Sequence, residues 1–120
     1  MRILTSLLFL ISTHSIAYES KHDGKFAKDL VQKGAMVLDV RTLIEYKIKH
    51  IEGATRIPIG EVKQSFSKIQ KINKNSKDNP IVVYCMSGGR SARAKAELEE
   101  AGFKNVYDLG GIGNWFKSKK

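Results

Sequence analysis

A chain of 120 residues holds one domain rather than two, and a domain of this size can bury a core without disulfide or metal staples. With 42% hydrophobic and 28% charged residues and no repeat or low-complexity tract, it is neither a disordered tail nor a fibrous array. The net charge of +9 comes largely from lysines, among them Lys63, Lys68, Lys71, Lys74 and Lys77, with no arginine-rich block or interleaved aromatic platform. That pattern reads as a solvated face that could also steer small anions, rather than a nucleic-acid surface.

In chain order, the first feature is an export signal. Met1-Arg2 supplies one positive charge, Ile3 to Ile11 is mostly apolar, and Ser15-Ile16-Ala17 places small residues where a signal peptidase reads. The apolar run is too short for a membrane span, which needs about 20 residues. Residues 1–17 are therefore expected to be a signal peptide and 18–120 the mature domain, exported to the periplasm or an equivalent compartment, with no membrane attachment after cleavage. Without Arg2 the balance is 20 basic to 12 acidic residues, a net +8.

Phe26, Ala27, Leu30 and Val31 share one helical face, and Gly34 is a natural stop. Ala35 to Val40 is a short apolar run of the kind found in a strand covered on both sides. Thr42 and Glu45 have capping-box spacing and predict a short helix. Ala54 to Ile59 reads as a second strand closed by Pro58, Val62-Phe66-Ile69 as an amphipathic helix, and Asn73 to Pro80 as a polar loop. Ile81 to Tyr84 is the most strand-like segment and runs directly into Cys85-Met86-Ser87-Gly88-Gly89-Arg90. A helix is expected over Ser91 to Ala101, ended by Gly102, then a strand over Asn105 to Leu109 broken by Gly110-Gly111. Trp115 and Phe116 should pack a terminal turn on the core. Strands alternating with helices imply an α/β fold with a mostly parallel central sheet and helices on both faces.

Cys85 is the sole cysteine, so no internal disulfide forms. An unpaired thiol in an oxidising compartment is either buried and inert or kept for its reactivity. The surroundings favour reactivity. A strand–loop–helix turn sets a side chain at the carboxyl edge of a parallel sheet, where such folds bind ligands. Gly88 and Gly89 let the loop curl so that its N–H groups point inward, the helix from Ser91 contributes its positive end, and Arg90 adds a full charge. Each favours thiolate, the nucleophilic form.

Asp39-Val40-Arg41, Glu45-Tyr46, His50-Ile51-Glu52-Gly53-Ala54, Ile57-Pro58, Val83 to Ser91, and Leu109-Gly110-Gly111 with Trp115 together resemble the rhodanese family of sulfurtransferases over nearly all the mature chain. The short exported form is most similar to bacterial periplasmic thiosulfate sulfurtransferases. The resemblance implies a rhodanese-like fold in which Cys85 takes the outer sulfur of thiosulfate as a persulfide and passes it to cyanide or a thiol acceptor, with no metal or organic cofactor. Met86, Ser87, Gly88, Gly89, Arg90 and Ser91 would bind the substrate, Arg90 positioning the anionic donor. Asp39 and Arg41 would support the loop from beneath. His50 is expected to make a structural hydrogen bond and Trp115 to belong to the core. A monomer is expected, its partners the small sulfur donor, the thiophilic acceptor and in one case an acceptor protein.

Two alternatives stand beside this. One is a sulfur or redox relay that docks to a partner protein and turns over little on small donors. The other is a cysteine phosphatase or arsenate reductase. Related enzymes of that kind carry five residues between cysteine and arginine, whereas four separate Cys85 from Arg90. The chain departs from the family pattern at Lys49, where glycine often precedes the histidine; lysine fits there only if its φ is negative.

Overall fold

The computed structural model describes residues 18, 19 and 21–119, so the expected signal peptide at 1–17 lies outside the described residues. Four strands, β1 (Met36–Asp39), β2 (Thr55–Arg56), β3 (Ile81–Cys85) and β4 (Val106–Gly111), form one sheet in the order β2-β1-β3-β4. Every pairing is parallel, with Asp39 beside Arg56 and Tyr84, and Cys85 beside Gly111. The helices are α1 (Gly24–Gln32), α2 (Leu43–Ile48), α3 (Phe66–Ile72), α4 (Gly89–Glu100) and α5 (Gly113–Phe116).

Strand alternation divides the core. Met36, Leu38, Val40, Ile81, Val83 and Cys85 face one layer, where Ile69 of α3 and Ala94 and Leu98 of α4 cover them. Val37, Val82, Tyr84, Tyr107 and Leu109 face the other, against Ala27 of α1 with Trp115 of α5 packed at its margin. All five residues of β3 are buried, which explains why its sequence is an unbroken uncharged run rather than an alternating one.

The chain leaves β1 toward β2 on one side and β3 toward β4 on the other. The carboxyl ends of β1 and β3 therefore border the switch point of the sheet, where a crevice opens. Cys85 ends β3 and Asp39 ends β1.

Three local expectations are corrected. The strand expected over Ala54 to Ile59 is reduced to Thr55–Arg56, because Pro58 turns the chain and Ile59 opens a 3₁₀ turn through Glu61. The helix expected from Val62 begins as a second 3₁₀ turn, Lys63–Ser65, and becomes α-helical at Phe66. Gly110-Gly111 does not break the last strand: both glycines lie within β4, where the register slips between Val83 and Tyr84 and Gly110 takes a φ of 79°. The Thr42–Glu45 capping box forms as expected. Lys49 has an extended backbone with φ −166°, which lysine adopts without strain.

Candidate active site

Cys85 is fully buried at the floor of its loop. The backbone N–H of Gly88 donates to Sγ at 2.9 Å, and the thiol lies 3.3 Å from Ser91 Oγ, to which it donates. Ser91 in turn donates to the carbonyl of Gly88 at 3.1 Å. The loop thus closes on the sulfur through its own backbone. Gly88 makes this possible: its φ is 113°, a region closed to most side chains, and it caps α4 in that conformation. The first turn of α4 begins one residue later, so the positive end of a helix of 12 residues lies against the sulfur.

The loop also leans on β4. The N–H of Ile112 donates to the Cys85 carbonyl at 2.8 Å. A Cβ placed on Gly111 would stand 2.5 Å from the Met86 carbonyl oxygen, so this close approach requires glycine. Met86 and Ser87 are exposed at the mouth, Gly88 is half-buried, and Gly89 is exposed at the start of α4. Five of the six residues expected to bind substrate divide into two sets, Arg90 standing apart. Met86, Ser87 and Gly89 face outward, while Gly88 and Ser91 touch the sulfur itself.

Arg90 is held differently from the expectation of an arginine given over to the donor. Its Nη1 and Nη2 donate to Oε1 and Oε2 of Glu45 at 2.8 and 3.0 Å. Glu45 already closes the capping box of α2, accepting from the Thr42 N–H at 3.0 Å. The hydrogen bonds from Arg90, followed by that from Thr42, lower its carboxyl from 4.5 to about 2. The same pair raises Arg90 above its usual value, with a smaller contribution from the neighbouring Cys85. Glu45 was legible in sequence as a cap; its second partner, 45 residues away, was not.

Asp39 and Arg41 form a buried platform under this arrangement. Arg41 Nε and Nη2 donate to the Asp39 carboxylate at 3.0 and 2.8 Å, and Nη2 also donates to the Lys49 carbonyl at 2.6 Å. Tyr84, the residue before the cysteine, donates from its hydroxyl to Asp39 Oδ2 at 2.5 Å and accepts from the Ile51 N–H at 3.1 Å. Burial, with the hydrogen bond to Asp39, pushes the Tyr84 phenol well above its usual range. For Arg41, burial works against its charge, but the Asp39 hydrogen bonds and charge prevail and the net shift is upward. Every charged group on the platform is paired, as burial requires. His50 bonds the Tyr46 carbonyl at 2.9 Å and stacks on the Tyr46 ring, a structural role as expected.

A buried cysteine bonded by a loop N–H, a helix N-terminus behind it and an arginine fixed at the rim define a class: an α/β protein whose strand–loop–helix turn encloses one sulfur at the carboxyl edge of a parallel sheet. The rhodanese-like domain model matches residues 23–118, and the chain belongs to that family. The family carries sulfurtransferase-type sulfur chemistry. Rhodanese with anions from E. coli superposes with a TM-score of 0.61 at 32% identity, covering 68% of this chain and 91% of that one. A human single-domain sulfurtransferase shares the fold, with a TM-score of 0.66 at 19% identity over 88% of this chain and 97% of that one. Among curated proteins, tRNA uridine(34) hydroxylase of Buchnera aphidicola is 36% identical over 84 residues, 69% of this chain and 27% of that protein. The Pelagibacter ubique protein of the same name is 36% identical over 97 residues, 80% and 31%. The chain thus spans about a quarter to a third of the curated relatives it matches.

Proposed function

We propose that the protein is an exported thiosulfate sulfurtransferase working through a persulfide on Cys85. The observation that carries this reading is the sulfur itself, enclosed by the Gly88 N–H and Ser91 hydroxyl in a loop with four residues between Cys85 and Arg90. A cradle this tight suits a single added sulfur atom better than a tetrahedral oxyanion.

In the first half-reaction the Cys85 thiolate attacks the outer sulfur of thiosulfate. The S–S bond of the donor breaks, sulfite leaves with the bonding pair, and Cys85 carries the persulfide. In the second, cyanide or a thiolate attacks the outer sulfur, the persulfide S–S bond breaks, and the pair returns to Cys85 Sγ. Two covalent steps imply ping-pong kinetics. The Gly88 N–H and the end of α4 stabilise negative charge on sulfur in both halves. Arg90, oriented and partly neutralised by Glu45, offers the doubly charged donor the N–H groups its ion pair leaves over. Incubation with thiosulfate and cyanide should yield thiocyanate, and Cys85→Ser should yield none; equal output from the two proteins would refute the proposal. Export through residues 1–17 belongs to the same reading, and N-terminal sequencing of the mature protein tests it.

The relatives' name supports a second reading, in which this domain acts on tRNA uridine. The charge pattern argued against nucleic acid, but a net +8 surface is compatible with it. Assay of the protein on tRNA bearing an unmodified uridine at position 34 separates the two, since only the second reading predicts a Cys85-dependent change in that base.

A further inference from the structure

Helix α2 sits at the carboxyl edge of the sheet beside the Cys85 loop, tied there by the Glu45–Arg90 pair. It is half apolar, yet none of its residues is buried. Ile44 is 70% exposed and Ile48, one turn on, 79%, with Leu43 at 48%. Residues four apart share a helix face, so the isoleucines form one outward stripe. Met86, at the loop mouth, is 45% exposed. At the other end of α2, Lys49 Nζ lies 4.0 Å over the ring of Phe116, bringing an exposed aromatic of α5 to the same edge. Scattered apolar residues on a surface are ordinary; several gathered around one site mark a place of contact.

The charge at this edge is one-sided. Lys47 and Lys49 are exposed, and the carboxylate that α2 offers, Glu45, is spent on Arg90. A small anion bound at the Cys85 loop has no use for the isoleucines, which stand on α2 and not on the loop that encloses the sulfur. We infer that the α2 stripe with Phe116 is a docking surface for a sulfur-acceptor protein, one with apolar anchors in an acidic rim around a reactive thiol. The inference rests on the persulfide reading for its chemistry. The acceptor thiolate attacks the outer sulfur of the Cys85 persulfide, the persulfide S–S bond breaks, Cys85 leaves as thiolate, and the acceptor carries the persulfide away. Docking beside the loop makes that attack effectively intramolecular, while cyanide gains nothing from it.

The probes are two cysteine peptides carrying leucines, one with flanking glutamates and one with lysines in their place. The persulfide form should lose its sulfur to the acidic peptide at least about tenfold faster than to the basic one, and the difference should shrink with added salt. Ile44→Ser/Ile48→Ser and Lys47→Glu should each remove most of that preference while leaving thiocyanate formation from cyanide unchanged. These side chains are exposed, and an unchanged melting temperature confirms that the variants fold. Equal rates for the two peptides, or a preference untouched by the substitutions, would overturn the inference. So would concentration-dependent dimerisation lost in the isoleucine variant, which would assign the stripe to a second copy, or sedimentation of the wild type alone with anionic lipid vesicles. Anisotropy with the acidic peptide and Cys85→Ser separates the two proposals: binding without sulfur transfer in the wild type leaves the surface standing and refutes the persulfide reading.

Discussion

The guanidinium of Arg90 grips the carboxylate of Glu45 with two parallel hydrogen bonds, joining the first turn of α4 to the first turn of α2 across the mouth of the cysteine loop. One carboxylate thus caps one helix and anchors another. Both side chains are only partly exposed and the geometry is two-pronged, which places the pair above the usual surface salt bridge, at about 1 kcal/mol or somewhat more.

The pair predicts an acid-sensitive component of stability. The folded-state carboxyl of Glu45 lies at about 2, below its ordinary value of 4.5. A depressed pKa favours the folded state above the unfolded value and loses that advantage as pH falls toward the folded one. Glu45→Gln should lower the melting temperature by about 4–8 °C at neutral pH, and the gap to wild type should narrow as the pH falls from 4.5 toward about 2. Thermal melts across that range check it; a constant gap would contradict it.

Arg90→Lys keeps the charge but not the fork. It should raise KM for thiosulfate by about tenfold with a smaller change in kcat, because a lysine cannot be fixed by Glu45 in the same orientation. Steady-state kinetics on the donor decide this, and an unchanged KM would remove Arg90 from the rim.

Much of this architecture was legible in the sequence. The uncharged run Ile81 to Tyr84, the Thr42–Glu45 box, the stop at Gly34 and the loop glycines are local signals that the folded chain keeps. What was not legible depends on pairing at a distance. Tyr84 reads as one more apolar residue of a buried strand, and nothing local shows that its hydroxyl meets Asp39. Gly110-Gly111 reads as a break, because two glycines commonly end a strand; in β4 they admit the Met86 carbonyl and a slip in register. The outward face of α2 shows the opposite failure, since a half-apolar helix is ordinarily taken to be packed.

Removing the Tyr84 hydroxyl should cost stability more than turnover. Tyr84→Phe leaves the Ile51 N–H without its acceptor and withdraws a donor from Asp39, both buried. Such losses run at about 1–3 kcal/mol. Denaturant titration should show that decrease, with kcat/KM reduced by less than about tenfold. A full loss of activity at unchanged stability would give Tyr84 a direct part in the reaction.

The close approach at Gly111 makes another test. Gly111→Ala forces a methyl against the Met86 carbonyl and should displace the loop, cutting kcat/KM by about tenfold or more, whereas Gly113→Ala, with open space at that position, should be nearly silent. Equal effects of the two substitutions would mean that the loop does not depend on its contact with β4.

The most direct measurement is the intact mass of the protein after brief exposure to thiosulfate and removal of the excess. The wild type should gain the mass of one sulfur atom, lose it on addition of cyanide, and show neither change as Cys85→Ser. A wild-type mass unchanged by thiosulfate, or an equal gain in the Cys85→Ser variant, would contradict the persulfide on Cys85.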